Sequence, residues 1–396
     1  MIRATDVDAG TIRTDNLLRV DPAELPQDRN PYLKPGEIIV VRSGAYTGDS
    51  AIVPSGLEGA VAGYDMVATV TRASSHFVAY SLLSKYVLED QIHLLTLRAA
   101  QPHLNAEELG SVVLAMPPTR HEQERIAAYL DASCAAIDAA VAAKRRQLET
   151  LDALRKSIIH RAVTKGLNPA APRRASEVSW FGEIPKHWHC EHLKRFTTRI
   201  QTGSTPPTDT PDYYFDGTIP WFAPGSYDGD IELREPRKLI NELAQREGAL
   251  RMFPAGTVFL VGIGATIGKV GLVLEEGSCN QQLIGIVCNH RLLSRYLAYQ
   301  LKIYEEVIPG IASATTLPIF DQVKTGYLPT VQPPREEQEA ICTHFDAKLS
   351  EMKSIVTGME AQIATLTSYR RSLIHECVTG QRRVTEAGLR RAGARG

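Results

Sequence analysis

The chain repeats itself, and the repeat is long. Residues Arg120 to Thr164 align without a gap onto Arg335 to Thr379, a shift of 215 residues in a chain of 396, and 17 of the 45 paired positions are identical. A period of this size is far beyond the 20–50 residues of a solenoid unit. It implies a duplicated domain followed by a duplicated long helix. Pseudo-two-fold character follows, which suits a partner that is itself two-fold symmetric.

The duplication continues upstream with small changes of register. PGEIIVVRSGAYTGDSAIV, starting at Pro35, matches AGTVFLVGIGATIGKVGLV, starting at Ala255. In each copy a β-rich run, Ile38 to Val41 or Val258 to Val261, enters a glycine-bounded turn, Gly44-x-x-x-Gly48 or Gly264-x-x-x-Gly268, and a second apolar strand follows. GYDMVATV and QQLIGIV predict further strands. An amphipathic helix near Phe77 to Leu88 then matches one near Arg295 to Val307. Each copy closes on a short strand, Val112 to Met116 or Tyr327 to Val331, and a Pro-Pro before the long helix.

The long helices carry a coiled-coil period. Leu130, Cys134, Ile137, Val141, Leu148, Leu151, Ile158 and Ala162 share one seam, interrupted by Lys144 and Arg155. Phe345, Leu349, Met352, Val356, Met359, Ile363, Leu366, Leu373 and Cys377 form the other, interrupted by Arg370. Two matched seams in one chain are most economically buried against each other, antiparallel. At 1.5 Å per residue each helix is a rod of roughly 65 Å. Thr119 and Glu122 have capping-box spacing. Arg155 and Arg370 either set register or extend their charge to water past the seam. His160 and His375, in the last turns, suit a helix C-terminus better than a metal or catalytic role.

Composition narrows the class. Six scattered cysteines without a C-x-x-C pair argue against a zinc cluster and against a secreted disulfide framework. The polar start does not resemble a signal peptide. The apolar window Thr257 to Leu274 is broken by Lys269 and several glycines, so no membrane association and a cytoplasmic setting are expected. A net charge of −1 does not advertise nucleic-acid binding, so any basic surface must be local.

Specific words in the chain resemble the specificity subunits of type I restriction–modification systems. They are the helix starts PPTRHEQERIAAYLD and PPREEQEAICTHFD, the helix ends LRKSIIHRAVTKG and YRRSLIHECVTGQ, and the opening WFGEIPKHW…LKRF…TGSTPP…YYFDGTIPWF from Trp180. The resemblance implies an α+β, pseudo-two-fold chain with two related target-recognition domains separated by a long antiparallel two-helix coiled coil. Each domain would read one half of a split double-stranded DNA target, and the helices would set the half-site spacing. The subunit would be non-catalytic. It would recruit two methyltransferase subunits and endonuclease-translocase subunits, with S-adenosylmethionine, ATP and Mg held by those partners. The expected segments are 1–117 for a first recognition domain, 118–167 for the central helix, 168–333 for the second domain, 334–380 for the distal helix and 381–396 for a basic tail.

The residues themselves show no catalytic centre. GIGATIGK (Gly262 to Lys269) fails as a phosphate loop, because Ile263 and Val270 stand where glycine and a hydroxyl residue are needed. It fails as a dinucleotide fingerprint at Ile267. Asn30-Pro31-Tyr32 is the nearest string to an adenine-methyltransferase Asn-Pro-Pro-Tyr. Glu351-Met352-Lys353, a candidate nuclease word, places Met352 in the helical seam. Base edges call for polar side chains on loops, and phosphates for Lys, Arg and backbone N–H. In the second domain these are Thr202, Ser204 and Thr205 in TGSTPPT, Thr266 and Lys269 in the turn, Asn280, Gln281 and Gln282, and Thr315. In the first they are Arg42, Ser43, Tyr46 and Thr47 in the turn, then Gln101, His103 and Asn105. Glu122-Gln123-Glu124 and Glu337-Gln338-Glu339, taken as matched surface positions, are candidates for docking the methyltransferase subunits.

Aligning Ala4 with Ala223 and Gly10 with Gly229 leaves some forty residues of the second domain, from about Ser179 to Pro220, without a counterpart in the first. The first domain is therefore expected to be N-terminally incomplete, without its opening strands and its TGSTPP-like loop, and to expose strand edges. The alternative to a DNA-reading subunit is a truncated scaffold that binds methyltransferase subunits without full reading of DNA.

Overall fold

The computed structural model describes residues 1–25, 31–96, 102–312 and 318–393. Gln101 and Thr315, like Asn30 and the rest of the 313–317 segment, lie outside them. The chain divides into two compact units, Met1–Leu148 with Thr357–Gly396, and Glu149–Val356. Each unit takes one globule together with a stretch of both long helices.

In the first unit β1 (Ile38–Val40) is the central strand, antiparallel to β2 (Ser50–Ile52) and β3 (Met66–Ala68). Its side chains divide with period two. Ile38 and Val40 pack with Ala79 and Leu82 of α1 (Ser75–Leu83), whereas Ile39 and Val41 face Ile2, Leu33 and Val53. Burial on both faces explains why this strand reads as an unbroken apolar run. α2 (Ala106–Gly110) follows, and then the first long helix, α3 (Arg120–Lys165).

The second unit repeats the plan with more strands. β4 (His189–His192) and β5 (Thr197–Thr202) come first, followed by β6 (Ile219–Phe222), β7 (Lys238–Ile240) and β8 (Met252–Phe253). β9 (Val258–Val261) pairs antiparallel with β10 (Val270–Leu272) and, beyond β11 (Gly277–Cys279), with β12 (Leu283–Cys288). Val258 and Leu260 pack with Tyr296 and Tyr299 of α4 (Ser294–Leu301), while Phe259 and Val261 face Phe222 and Phe253. A second sheet has the order β7-β6-β11-β8, with β6 and β11 parallel.

The two globules differ at the outer edge. β12 is covered by β5 (Ile284 opposite Thr202, Ile286 opposite Ile200), whereas among the described residues β3 has no strand on its other side. The second sheet shrinks in the first unit to bridges, Ile2 to Ala62 and Tyr32 to Val61. The strand expected over Val112–Met116 is not formed. Its counterpart β13 (Pro329–Gln332) pairs with β4, and the first unit has no equivalent of β4 among its described residues. Side chains take over instead. The Val113 carbonyl accepts from Tyr86 Oη at 2.7 Å and Gln91 Nε2 at 3.0 Å, and the Val113 N–H donates to Gln91 Oε1 at 2.9 Å.

The second long helix, α5 (Arg335–Val378), runs antiparallel to α3 in both units. In the first unit Leu130, Cys134 and Ile137 pack with Leu373, Ile374 and Cys377. In the second, Ile159, Ala162 and Val163 pack with Ile341, Cys342 and Phe345. The alanine-rich part of α3 holds an 18-residue window of mean hydropathy 1.5, enough by length and composition to cross a membrane, but its large apolar side chains form this seam. Glu122 N–H donates to Thr119 Oγ1 at 3.2 Å, the capping bond expected there. The two seam arginines part ways. Arg370 Nε lies 3.1 Å from Asp138 across the helix pair. At the place matching Asp138 the other copy has Lys353, so Arg155 donates to the Gly229 carbonyl at 3.1 Å and Lys353 pairs with Asp230. His160 Nε2 bonds the Trp180 carbonyl at 2.9 Å. A short helix, α6 (Glu386–Gly393), closes the described chain.

Candidate nucleic-acid interface

The glycine-bounded turns share one hydrogen-bond skeleton. In the first unit Val41 N–H donates to the Asp49 carbonyl, Gly48 to Val41, Gly44 to Pro102 and Leu104 to Arg42, at 2.8–3.2 Å. In the second, Val261 donates to Lys269, Gly268 to Val261, Gly264 to Pro318 and Phe320 to Gly262, at 2.8–3.4 Å. The framing glycines have φ of 92° and 93° in one copy and 107° and 91° in the other, a region side chains avoid. The backbone therefore clamps each turn to the segment that follows the short helices. Side chains are left to differ, and they do.

In the second unit three stretches far apart in sequence meet beside the turn. Gly203 N–H donates to the Leu283 carbonyl at 3.1 Å and Ser204 N–H to the Cys279 carbonyl at 2.8 Å. A Cβ on Gly203 would stand 2.0 Å from the Cys279 carbonyl oxygen, so only glycine permits this approach. Thr205 Oγ1 bonds Gln281 Oε1. Gly262 N–H donates to the Gln282 carbonyl at 2.8 Å. Thr205, Gln281 and Lys269 are exposed, and Thr202, Ser204, Thr266 and Gln282 are half-buried. Asn280 departs from the expectation of a base reader. It is 8% exposed, and both ends of its amide are held by Gln282.

Side chains with no local signal in the sequence hold this cluster. Arg251 donates its guanidinium to the Thr202 and Gly203 carbonyls, and its N–H to Ser204 Oγ at 2.8 Å. Trp221 Nε1 donates to the Ser204 carbonyl at 3.0 Å, and Tyr214 Oη to the Pro206 carbonyl at 2.6 Å. They come from the second sheet and its flanking loops, and no local spacing links them to TGSTPP.

The first unit presents different chemistry on the same turn. The Arg42 guanidinium lies 4.9 Å from the centre of the exposed Tyr64 ring, and its backbone N–H donates to Asp65 Oδ1 at 3.1 Å. Tyr64 was not among the expected readers. Ser43 bridges His103, and Tyr46 and His103 are exposed. Two candidates are committed elsewhere. Thr47 is buried, with Oγ1 donating to the Gly44 carbonyl at 2.7 Å, and Asn105 caps α2 by accepting Glu108 N–H at 2.9 Å. Where the second unit has Lys269, the first has Asp49. Burial pushes the Asp49 carboxyl up, with Asp8 adding to it and His93 and Arg371 partly opposing. Burial also raises Asp65, against the Arg42 N–H bond.

The helix starts require a correction. Gln123 and Gln338, expected at the surface, are buried. Gln123 Oε1 accepts Ser74 N–H at 2.9 Å, and Gln338 Oε1 accepts Leu293 N–H at 2.8 Å. Ser74 and Leu293 are the N-caps of α1 and α4. The amides also donate to the Pro117 and Pro333 carbonyls. Identity between the copies thus reflects an internal staple, since an orphan N–H in each globule needs the same acceptor. Glu337 is partly committed as well, accepting from Trp188 Nε1 at 2.9 Å and bonding His187 Nε2 at 2.6 Å. It lines a cavity of about 270 Å³ with Lys165, Leu167 and Ile341. Glu124 and Glu339 are exposed and pair within their own helices with Arg120 and Arg335. Glu122 lies 3.4 Å from Arg125.

The chain matches a known family in sequence and known structures in fold. The model of the family described as type I restriction modification DNA specificity domain matches residues 23–150 and 188–363. The type I restriction enzyme MjaIX specificity subunit of Methanocaldococcus jannaschii is 32% identical over 183 residues, 43% of this chain. The match spans 41% of that relative's length. Two solved structures share the fold. One comes from work on complex assembly and conformational transition of the type I R-M system, with TM-score 0.75 and 17% identity, covering 96% of this chain and 91% of that one. The other is the HsdS subunit from Thermoanaerobacter tengcongensis, with TM-score 0.50 and 17% identity, covering 96% and 90%.

Proposed function

We propose that this chain, which belongs to the type I restriction modification DNA specificity family, is the non-catalytic subunit that reads a split double-stranded DNA target, one half-site per globule. What supports it most is the duplicated turn, which keeps one backbone skeleton under two sets of side chains. A scaffold that serves two different half-sites needs this combination. In the second unit Thr205, Gln281, Gln282, Thr266 and Lys269 face the DNA; in the first, Arg42 with Tyr64, Ser43, Tyr46 and His103 do so. Methyltransferase subunits dock at the helix starts through the exposed Glu124 and Glu339 and the half-buried Glu122. Endonuclease-translocase subunits complete a cytoplasmic complex, and S-adenosylmethionine, ATP and Mg belong to the partners. Near-neutral net charge fits a subunit whose partners supply much of the phosphate contact.

The test is methylation-site mapping with the full complex. Replacing Gln281 and Gln282 together by alanine is expected to relax one half-site only, at about 1–3 kcal/mol for each lost base contact. Lys269→Ala is expected to weaken binding at every sequence and to reduce the salt slope by roughly one phosphate contact. Two unchanged half-sites in the glutamine variant would defeat the assignment.

A further inference from the structure

Asn280 decides which face of Gln282 is offered outward. Its Oδ1 accepts the Gln282 backbone N–H at 3.1 Å, and a backbone amide can only donate, so this atom is the oxygen. The other terminal atom is then the donor Nδ2, which lies 2.8 Å from the Gln282 side chain. The atom it meets must be an acceptor, Oε1. Asn280 is more than nine-tenths buried, and its amide cannot turn without losing the backbone bond. The free end of Gln282 is therefore Nε2, which carries two N–H groups. It has no partner among the described residues and is not sealed from water. It lies over the turn, where a Cβ at Gly264 would be 3.5 Å away.

Glutamine ordinarily reads adenine as a fork, with Oε1 and Nε2 side by side against N6 and N7. Here Oε1 is turned toward Asn280, and only the donor end remains. Resting on the reading that this face lies on DNA, we infer that Gln282 specifies guanine. The adjacent acceptors O6 and N7 of guanine match the two N–H groups of Nε2. Asn280 is the positioning residue that enforces the choice by holding Oε1 inward.

The inference predicts an inversion. In Gln282→Glu, Asn280 Nδ2 bonds one carboxylate oxygen and the other faces the groove as an acceptor, the partner that cytosine N4 requires. Methylation-site mapping with the full complex should show G·C at one position of one half-site in the wild type. Gln282→Glu should change that position to C·G by about tenfold or more. Asn280→Ala should instead add A·T to the accepted pairs, because the freed Gln282 can form the adenine fork. The unaltered half-site reports folding in every variant, and Gln282→Glu changes only a half-buried side chain if the Asn280 variant fails to fold. A wild-type A·T at the affected position would overturn the inference. So would a Gln282→Glu variant that relaxes the position without inverting it. Either result leaves the half-site assignment standing, because that assignment fails only if the Gln281 and Gln282 alanine variant changes neither half-site.

Discussion

The two glycine-bounded turns have the same backbone and different charged groups. One carries Lys269, exposed, beside a cluster of uncharged amides and hydroxyls. The other carries Asp49, half-buried with a raised carboxyl, and Arg42, whose guanidinium lies over a tyrosine ring. The edges differ too. In the second unit the loop after β5 is held by Arg251, Trp221 and Tyr214 against Gln281. Among the described residues of the first unit no strand pairs with β3 at that edge. The skeleton of such a turn is thus specified by two glycines and the carbonyls they meet. What the turn presents depends on its own side chains and on which neighbouring loop is packed against it.

The comparison breaks most visibly at the glycines. Gly203→Ala forces a methyl group into the Cys279 carbonyl, so the loop and the β11–β12 connection must separate. About 3 kcal/mol of stability and the second half-site are expected to be lost together. Gly44→Ala meets no atom within 4 Å and suffers only the strain of its φ of 92°, about 1–2 kcal/mol. Urea denaturation and methylation-site mapping of both variants check the order. Equal costs would mean that close packing of the loop is not what separates the two units.

Next come the paired staples. Gln338 makes one accepting bond and two donating bonds, to Arg291 and Pro333, and Gln123 makes one fewer. Each alanine variant is expected to cost about 1–3 kcal/mol by leaving buried groups unpaired, with Gln338 the larger. If either variant left stability unchanged but abolished methyltransferase binding in a pull-down, the glutamines would be partner contacts after all.

The smallest effect is expected at Asp49. Its carboxyl is raised in the folded state, so ionisation opposes folding. That opposition is absent below the unfolded value of ~3.9 and grows as pH rises through the folded value. Asp49→Asn should therefore be more stable than wild type at pH 7, with the gain disappearing toward pH 4. Denaturation at the two pH values measures it. A gain that did not depend on pH would remove burial of the charge as the cause.

The sequence alone determined the duplication, the two seams, the central strands and the turns, because each rests on a local period or on glycines at fixed spacing. Tertiary structure decided the rest. It buried Gln123 and Gln338, because the N–H groups they satisfy lie 49 and 45 residues away along the chain. It gave the shared arginines different partners, because Asp138 in one copy is Lys353 in the other. It left Val112–Met116 without a strand partner and gave its backbone to Tyr86 and Gln91. And it buried Asn280, holding both ends of its amide against Gln282. A polar side chain looks the same in a sequence whether it meets water, a base or a buried amide; only packing settles which.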